Sequence, residues 1–303
     1  MSSVDRSHCY TAAMLAIEKI DPAVLHKICR HLNTHISSLV IQKIATSGNE
    51  VYQLRVGNNS YALHKACRNR FISIQAQIHN VEIAYNNGLS PKCVWHDGKH
   101  HMLTEWVMSP PAALEPQSKF SINDSVLDML VKLHSTTQPF RNTFNASYGL
   151  NWNLRQIGKK PKYLQRLVSK AKQFLGDYPN SDWVNCHGDL VSQNVLFDLS
   201  KKPILIDWEF SHRNTAYWDI ATLINDIETT TSESDDILRR YTELRNRHQS
   251  ESNFIPDILL LNGYRGVLAL ISGIWFGLQN QKTIAQSDEQ GNYLLSLATT
   301  LLD

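Results

Sequence analysis

After a helical stretch at residues 8–32, the first third of the chain alternates short β-prone runs with turns and one further helical stretch. A turn at residues 57–59 separates the first two runs, and residues 71–87 have helical periodicity. Asp97-Gly98-Lys99 forms a second turn. The β-prone runs are residues 51–56, 61–65, 94–95 and 102–107. Together these segments predict a small antiparallel sheet with one helix.

The pattern becomes helical after Ser109-Pro110-Pro111. Apolar residues recur at helical spacing from Val126 to Leu133, and most of the following chain has the same character. One hairpin interrupts the helices, because two apolar runs at residues 195–197 and 204–206 flank a polar turn that ends at Pro203.

These two patterns predict an α+β fold with two lobes. We expect residues 1–107 to form a small antiparallel-sheet lobe that binds a nucleotide. Residues 108–303 are then a mainly helical lobe that carries the catalytic and substrate-binding groups. A chain of 303 residues is long enough to bury two separate cores.

Three oxygen-bearing side chains flank the predicted hairpin. Asp189 precedes it on a loop, Asn194 begins its first strand, and Asp207 follows its second strand. The hairpin should bring Asn194 beside Asp207, and hard oxygen atoms suit Mg²⁺ better than zinc. Asp189 can accept a proton from an attacking hydroxyl group. This spacing therefore indicates metal-dependent phosphoryl transfer from a nucleoside triphosphate.

Each motif has an ordinary interpretation when it stands alone. His187-Gly188-Asp189 is a common tripeptide, and Ile206-Asp207-Trp208 is an unremarkable strand end. Only their combination with Asn194 at a fixed spacing is specific. A metal-dependent phosphoesterase would also use Asp, Asn and His, but it needs further His and Asp clusters at strand ends. The remaining histidines that we considered show no such arrangement; they are His96, His100, His101, His134 and His212.

Residues 186–226 resemble the catalytic core of the choline/ethanolamine kinase family. This family lies within the aminoglycoside-phosphotransferase-like group, whose fold is similar to that of protein kinases. Weaker resemblance extends from about residue 35 to residue 282. The matching motifs are Cys186–Leu190 with Asn194–Leu196, and Ile206–Ser211 with Asn214 and Tyr217–Ala221.

The resemblance implies a role for each residue of the core. It implies that Asp189 is the catalytic base and that Asn194 and Asp207 bind Mg²⁺, with ATP as the co-substrate. It also implies that His187 orders the catalytic loop and that Asp219 braces this loop from a helix.

The expected phosphate-binding residues depart from the family pattern. Residues 45–50 stand where the family has a turn over the phosphates, and they contain a single glycine. Lys65 is the expected cation, but alignment of the strand puts His64 in that position. Neighbouring strand residues face opposite sides, so the two cannot both enter the site unless the strand is bulged.

Four further positions complete the predicted nucleotide site. Gln77 replaces the glutamate that should orient the cation, and it can donate a hydrogen bond or accept one but cannot form an ion pair. We expect the adenine to lie against Glu105, Trp106 and Val107 at the end of the first lobe.

The substrate site is predicted from aromatic and acidic residues. A quaternary ammonium group cannot donate a hydrogen bond and binds best against ring faces. Trp208 and Glu209 follow Asp207 directly, while Tyr264 and Trp275 lie in a late apolar helix. Core packing is the alternative for these rings, because aromatic residues at helical spacing usually fill interiors.

Composition gives no indication of several other classes of protein. The net charge of +2 requires neither a nucleic acid nor a membrane surface as partner, and the five cysteines show no metal or redox spacing. The first residues lack a signal-peptide pattern. Residues 258–280 are apolar but contain Asn262 and Arg265, which favours a buried helix over a membrane span. We therefore expect a cytoplasmic protein, and the sequence does not predict its oligomeric state.

The sequence thus predicts an ATP- and Mg²⁺-dependent kinase that phosphorylates a small alcohol, with choline or ethanolamine as the expected acceptor. The segment Phe210–Asn214 resembles the choline/ethanolamine signature more than that of thiamine kinases. A thiamine kinase-type phosphotransferase remains an alternative, as does a sugar acceptor. A third alternative is a non-catalytic binding protein that keeps the kinase shape.

Overall fold

The computed structural model describes residues 20–44, 50–65, 73–109, 122–158, 160–178, 182–248, 254–279 and 289–303. Within these ranges it contains nine α-helices and nine β-strands. Residues 45–49 of the predicted phosphate turn (residues 45–50) and the prolines at 110 and 111 lie outside the described residues. The fold class predicted from the sequence, an α+β fold with a small antiparallel sheet and a mainly helical part, is confirmed.

The described residues divide into two compact units. The sheet unit comprises the described residues up to 109 together with Leu196–Glu209. The helical unit comprises residues 122–195 together with residues 210–303 where described. The sequence divided the chain once, after residue 107, whereas the structure assigns the later segment Leu196–Glu209 to the sheet unit as well.

The sheet unit is built on five antiparallel strands in the order β1-β2-β3-β5-β4. The turn at residues 57–58 joins β2 to β3, and the register of this pair sets Glu50 opposite Lys65. The strands are β1 (Leu39–Ile44), β2 (Glu50–Val56), β3 (Asn59–Lys65), β4 (Cys93–His96) and β5 (His101–Glu105).

Helix α1 (Pro22–His31) packs on the sheet, and the helix and sheet together form a hydrophobic core. The carboxylate of Asp21 caps the helix by accepting the N–H of Ala23 at 2.8 Å. The helix buries one apolar stripe, formed by Val24, Leu25, Ile28 and Cys29. The sheet contributes Leu39, Ile41, Tyr52, Leu54, Leu63 and Leu103 to the same cluster.

The rest of the sheet unit is one further helix and the predicted hairpin. Helix α2 (Ile74–Asn86) begins after Ser73, whose hydroxyl accepts the N–H of Ala76 at 3.2 Å. The hairpin consists of β7 (Val195–Phe197) and β8 (Pro203–Leu205). The N–H of Leu205 donates to the carbonyl of Leu89 at 2.8 Å, which ties the second strand to the chain that follows α2.

The helical unit surrounds a short two-stranded sheet. Strands β6 (Val184–Cys186) and β9 (His212–Asn214) pair antiparallel, with Cys186 opposite His212. The helices are α3 (Asp124–His134), α4 (Ala146–Gln156), α5 (Lys162–Asp177), α6 (Ala216–Asp226), α7 (Thr231–His248), α8 (Ile258–Gln279) and α9 (Glu289–Leu302).

Helix α8 is the most apolar helix of this unit. In the part of the chain that the structure describes, Ile258–Leu278 is the one segment long and apolar enough to cross a membrane. Arg265 lies within it and is buried. Its guanidinium donates to Asn225 Oδ1 in α6 at 3.1 Å and to Ser234 Oγ in α7 at 3.2 Å. We therefore interpret α8 as a core helix of the helical unit.

The contact between α5 and α8 depends on the absence of a side chain at Gly263. A β-carbon there would overlap the ring of Phe174 in α5. We expect Gly263→Ala to lower the free energy of unfolding by about 1–3 kcal/mol in urea denaturation, because the ring must move. Gly176→Ala in α5 is the matched control, since nothing lies within 4 Å of its added carbon. Equal stability of the two variants would contradict this packing.

Candidate active site

Residues 187–194 form the loop that carries Asp189 and Asn194, and Asp219 of α6 holds the start of this loop. The N–H of His187 donates to Asp219 Oδ2 at 2.7 Å, and the N–H of Gly188 donates to Oδ1 at 2.9 Å. Asp219 is fully buried. Hydrogen bonds to an ionised carboxylate are about twice as strong as neutral ones, so this pair fixes the backbone just before Asp189.

Gly188 has a backbone conformation and close neighbours that leave no room for a side chain. Its φ is +86°, in the left-handed region, and a β-carbon there would overlap the carbonyl of Phe210. The same carbon would lie 2.7 Å from Nδ1 of His212 in β9. The glycine of the His-Gly-Asp motif is therefore a requirement of close backbone packing.

His212 is a buried, neutral neighbour of this loop. Its Nδ1 lies 2.7 Å from the carbonyl of Phe210, and its Nε2 lies 3.1 Å from the side-chain nitrogen of Asn214. Burial lowers the pKa of His212, and the bond to Phe210 offsets only part of this effect. The ring therefore donates from Nδ1 and accepts at Nε2.

Asp189 and Asn194 contact each other within the loop. The side-chain nitrogen of Asn194 donates to the carbonyl of Asp189 at 2.8 Å and lies 3.3 Å from its carboxylate. Because the NH₂ group of Asn194 faces Asp189, Oδ1 is the end of the amide that can serve as a metal ligand. The structure thus places the carboxylate of Asp189 next to an amide whose oxygen is a hard donor atom.

Asp207 belongs to the sheet unit, where it follows β8. Its φ of +61° is uncommon for a residue other than glycine, and such strain is concentrated at functional sites. Burial lowers the pKa of His64, and the negative charge of Asp207 partly opposes this shift. His64 and Asp207 are therefore electrostatic neighbours, with the imidazole neutral. That Asp207 shares a metal ion with Asn194 stays a prediction.

Lys65 takes part in a cross-strand ion pair. Its Nζ lies 2.7 Å from Oε2 of Glu50, which is its register partner across β2 and β3. Both side chains are about 40% exposed, so the pair adds little stability. No bulge interrupts the register of β2 and β3, so His64 and Lys65 face opposite sides of the sheet. Their roles as phosphate ligands stay predictions.

The other predicted nucleotide-binding residues lie in the sheet unit. Gln77 is buried in α2, Glu105 is exposed at the end of β5, and Val107 is partly buried just beyond that strand. The N–H of Trp106 donates to the carbonyl of Ser60 at 3.1 Å, which extends the pairing with β3. Contact between these residues and an adenine stays a prediction.

Two residues that the sequence does not predict as site residues, His134 and Tyr241, also support Asp219. His134 of α3 lies 3.3 Å from Asp219 Oδ2 through Nε2 and 2.7 Å from the hydroxyl of Tyr241 through Nδ1. Burial lowers the pKa of His134, so the ring is neutral. Nε2–H then donates to Asp219, and Nδ1 accepts from Tyr241. These partners are 85 and 107 residues apart in sequence, and the only local signal was a histidine at the end of an apolar helix.

The ionisation of the buried groups follows from this network. Burial alone would raise the pKa of Asp219, but its bonds with His134 and the N–H of Gly188 hold the pKa below its ordinary value. Burial raises the pKa of the Cys186 thiol, which donates to the carbonyl of Thr215 at 3.4 Å. Among the described residues, His134, Cys186 and Asp219 place possible metal ligands within 4.8 Å of one another. Because all three donor atoms are engaged and the thiol is protonated, we interpret them as a hydrogen-bond network.

The predicted substrate residues differ in exposure. Trp208 is buried, and its indole N–H donates to the carbonyl of Leu205 at 3.1 Å. Tyr264 is buried and stacks on Tyr217 with 6.3 Å between ring centres; burial raises the pKa of Tyr264 to about 12. Glu209 is partly exposed, and Trp275 is 36% exposed. Packing accounts for Trp208 and Tyr264, and contact of any of the four with substrate stays a prediction.

Comparisons with known proteins agree with this geometry. A family model described as "Phosphotransferase enzyme family" matches residues 41–250. The protein LicA of Haemophilus influenzae is 25% identical over 230 residues, which span 72% of this chain and 67% of LicA.

Solved structures establish the fold. The choline kinase LicA from Streptococcus pneumoniae superposes with a TM-score of 0.72 and 20% identity, covering 92% of this chain and 97% of that protein. A microcompartment-associated aminopropanol kinase gives a TM-score of 0.66 at 16% identity, covering 93% of this chain and 95% of that one. The resemblance to choline/ethanolamine kinases and the protein-kinase-like fold are thereby confirmed.

The neutral histidines of the helical unit predict an acid-sensitive fold. His134 and His212 have lowered pKa values when folded, whereas an unfolded histidine titrates near 6.5. Below pH 6.5 the unfolded chain binds protons at these histidines that the folded chain does not bind. The free energy of unfolding is therefore at its full value above this pH and falls as the pH drops. We expect the free energy of unfolding in urea to be about 1 kcal/mol per histidine lower at pH 5.5 than at pH 7.5.

The variant His134→Gln tests the source of this dependence. It removes one of the two titrating rings, so the difference in unfolding free energy between the two pH values should shrink even if the variant is less stable. A wild-type protein with equal stability at both pH values would contradict the assignment.

Proposed function

This chain belongs to the phosphotransferase enzyme family, and we propose that it transfers the γ-phosphoryl group of ATP to the hydroxyl group of a small amino alcohol, choline or ethanolamine. The observation that carries the proposal is the contact between Asn194 and Asp189 on a loop whose backbone is fixed by Asp219. A base and an oxygen ligand held together in this way are what phosphoryl transfer requires.

Asp189 acts as the base in the proposed reaction. Its carboxylate accepts the proton of the acceptor hydroxyl as that oxygen attacks the γ-phosphorus of ATP, and the bond from this phosphorus to the β,γ-bridging oxygen breaks to release ADP. His187 begins the same loop and its N–H is held by Asp219, so its proposed role is to order the loop. Catalysis then comes mainly from positioning the two reactants.

The donor set fits a magnesium ion. Asn194 offers an amide oxygen and Asp207 a carboxylate, and both are hard oxygen ligands of the kind Mg²⁺ prefers. When bound, Mg²⁺ would neutralise charge on the phosphates. His64, Lys65 and Gln77 are the proposed phosphate-side residues, and Glu105 and Val107 are the proposed adenine neighbours.

The choice of an amino alcohol rests on the matched proteins and on the exposed residues. Two of the superposed structures are described as a choline kinase and an aminopropanol kinase. Glu209 is partly exposed, and its carboxylate is proposed to attract an ammonium group by charge. Trp275 is exposed, and its ring is separately proposed to bind such a group through a cation–π contact. We also propose that the protein works in the cytoplasm, where ATP is available.

Replacement of Asp189 tests the reaction directly. We expect Asp189→Asn to lower kcat by about 10²–10⁴-fold, because the amide cannot accept the proton, while ATP binding measured by calorimetry is retained. Asp198→Asn is a matched control, since Asp198 caps a turn of the hairpin with its Oδ1 and an amide oxygen can replace it. Undiminished turnover by Asp189→Asn would refute the proposed base.

The acceptor is identified by a substrate panel. Choline, ethanolamine, thiamine and a simple sugar are each assayed with ATP and Mg²⁺ by coupled release of ADP. We expect the highest kcat/KM with choline or ethanolamine. Turnover of thiamine alone would support the thiamine kinase alternative, and ATP binding without any turnover would support the non-catalytic alternative.

A further inference from the structure

Helix α6 presents two carboxylates to the 187–194 loop. Asp219 and Asp226 are seven residues apart, which is about two helical turns, so they project from the same face. Asp219 accepts the N–H groups of His187 and Gly188 before Asp189. Asp226 accepts the N–H of Ser192 through Oδ2 at 2.7 Å, beyond Asp189. One helix therefore holds the loop on both sides of the proposed base.

The stability of α6 does not explain a carboxylate at residue 226. Asp226 is the last residue of the helix, where the dipole disfavours negative charge and favours positive charge. Four other helices of this chain follow the usual rule with a lysine or arginine in the last turn, whereas α5 ends at Asp177: the four are α1 with Arg30, α3 with Lys132, α4 with Arg155, and α7 with Arg245 and Arg247. The contact with Ser192 therefore accounts for an aspartate that helix formation alone disfavours.

The last turn of α6 is itself fixed to its neighbours. Asn225 donates from Nδ2 to the carbonyl of Arg265 at 2.9 Å and accepts from the guanidinium of Arg265 at 3.1 Å. Both residues are buried. Because this reciprocal pair locks the backbone next to Asp226, the carboxylate is held in place and can position the loop.

The position of Ser192 affects the positions of Asn194 and Asp189. It begins the short 3₁₀ turn Ser192–Asn194, in which the N–H of Asn194 donates to the carbonyl of Val191 at 3.0 Å. The side chain of Asn194 in turn bonds to Asp189 at 2.8 Å. A shift of Ser192 therefore moves Asn194 relative to Asp189.

We propose that Asp226 is a positioning residue, which sets the placement of Asn194 against Asp189 by holding the N–H of Ser192. Its effect on turnover rests on the proposed function, whereas its effect on the loop does not. The role requires a hydrogen-bond acceptor at residue 226 and does not require a negative charge.

Two substitutions at residue 226 separate this role from direct contact with a cationic substrate. Asp226→Ala removes the acceptor, and we expect it to lower kcat by about 10–100-fold and to raise the Mg²⁺ concentration at half-maximal rate, with the KM for the amino alcohol almost unchanged. Asp226→Asn keeps an oxygen acceptor and loses the charge, so it should stay within about threefold of the wild type in kcat and KM.

Asp257→Ala is the control for a general loss of stability. Asp257 accepts the N–H groups of Leu259 and Leu260 at 2.9 and 3.0 Å at the start of α8. Its replacement by alanine therefore removes the same kind of carboxylate to backbone hydrogen bond at a place away from the loop. We expect this variant to retain the wild-type kcat and Mg²⁺ dependence. A kcat for Asp226→Ala equal to that of this control would overturn the proposal, as would a tenfold rise in amino-alcohol KM for Asp226→Asn.

Amide hydrogen exchange tests the loop without any assay of activity. In Asp226→Ala, exchange at the N–H of Ser192 should be faster by at least about tenfold, while Asp226→Asn should remain protected. Unchanged exchange at Ser192 in Asp226→Ala would overturn the proposal even in an active kinase. Faster exchange in a protein with no turnover would support the positioning contact and would reject the proposed function alone.

Discussion

The 187–194 loop depends on a carboxylate that has no contact with solvent. Moving an ionised carboxylate out of water costs several kcal/mol, and this cost is recovered only if hydrogen-bond donors replace the lost water. Asp219 receives three such donors, two from the loop backbone and one from His134. Any other loop conformation would leave the charge buried with fewer donors. The energetics of one buried group therefore select the conformation of the segment that carries Asp189.

The surrounding polar groups have the protonation states that this arrangement needs. A neutral His134 can donate to Asp219 only if its other nitrogen is an acceptor, and the hydroxyl of Tyr241 supplies the matching proton. Burial raises the pKa of Tyr241, so the hydroxyl keeps that proton. Arg245 lies beyond Tyr241 and bonds to both oxygens of Asp182, at 2.9 and 3.1 Å. A series of hydrogen bonds thus connects the partly exposed Arg245–Asp182 ion pair to the loop through Tyr241, His134 and Asp219. Each of these groups has one protonation state.

Local sequence patterns were sufficient for the parts of the fold that depend on local chemistry. The turn after Val56, the strand ending at Lys65 and the hairpin ending at Leu205 follow from short apolar runs between turn residues. Helix α8 follows from a mainly apolar stretch of 22 residues, which is too long for a strand. The contact of Asn194 with Asp189 spans five residues, so the motif spacing already contained it.

Contacts between distant segments could not be read from one sequence. Strands β6 and β9 have three residues each, too few for a periodic signal, and each is stabilised by pairing with the other. The partnership of His134 with Asp219 joins segments 85 residues apart. Lys65 was predicted as a phosphate ligand because of its residue type, but only the strand register shows that Glu50 lies across from it.

The position of Asp226 at the end of α6 has a consequence for protein engineering. Because cations are favoured at helix C-termini, a design procedure that scores only the stability of the helix would favour lysine at this position. The same change would remove the oxygen that accepts the N–H of Ser192. A sequence chosen for helix stability alone and a sequence chosen for turnover would therefore carry opposite charges at residue 226.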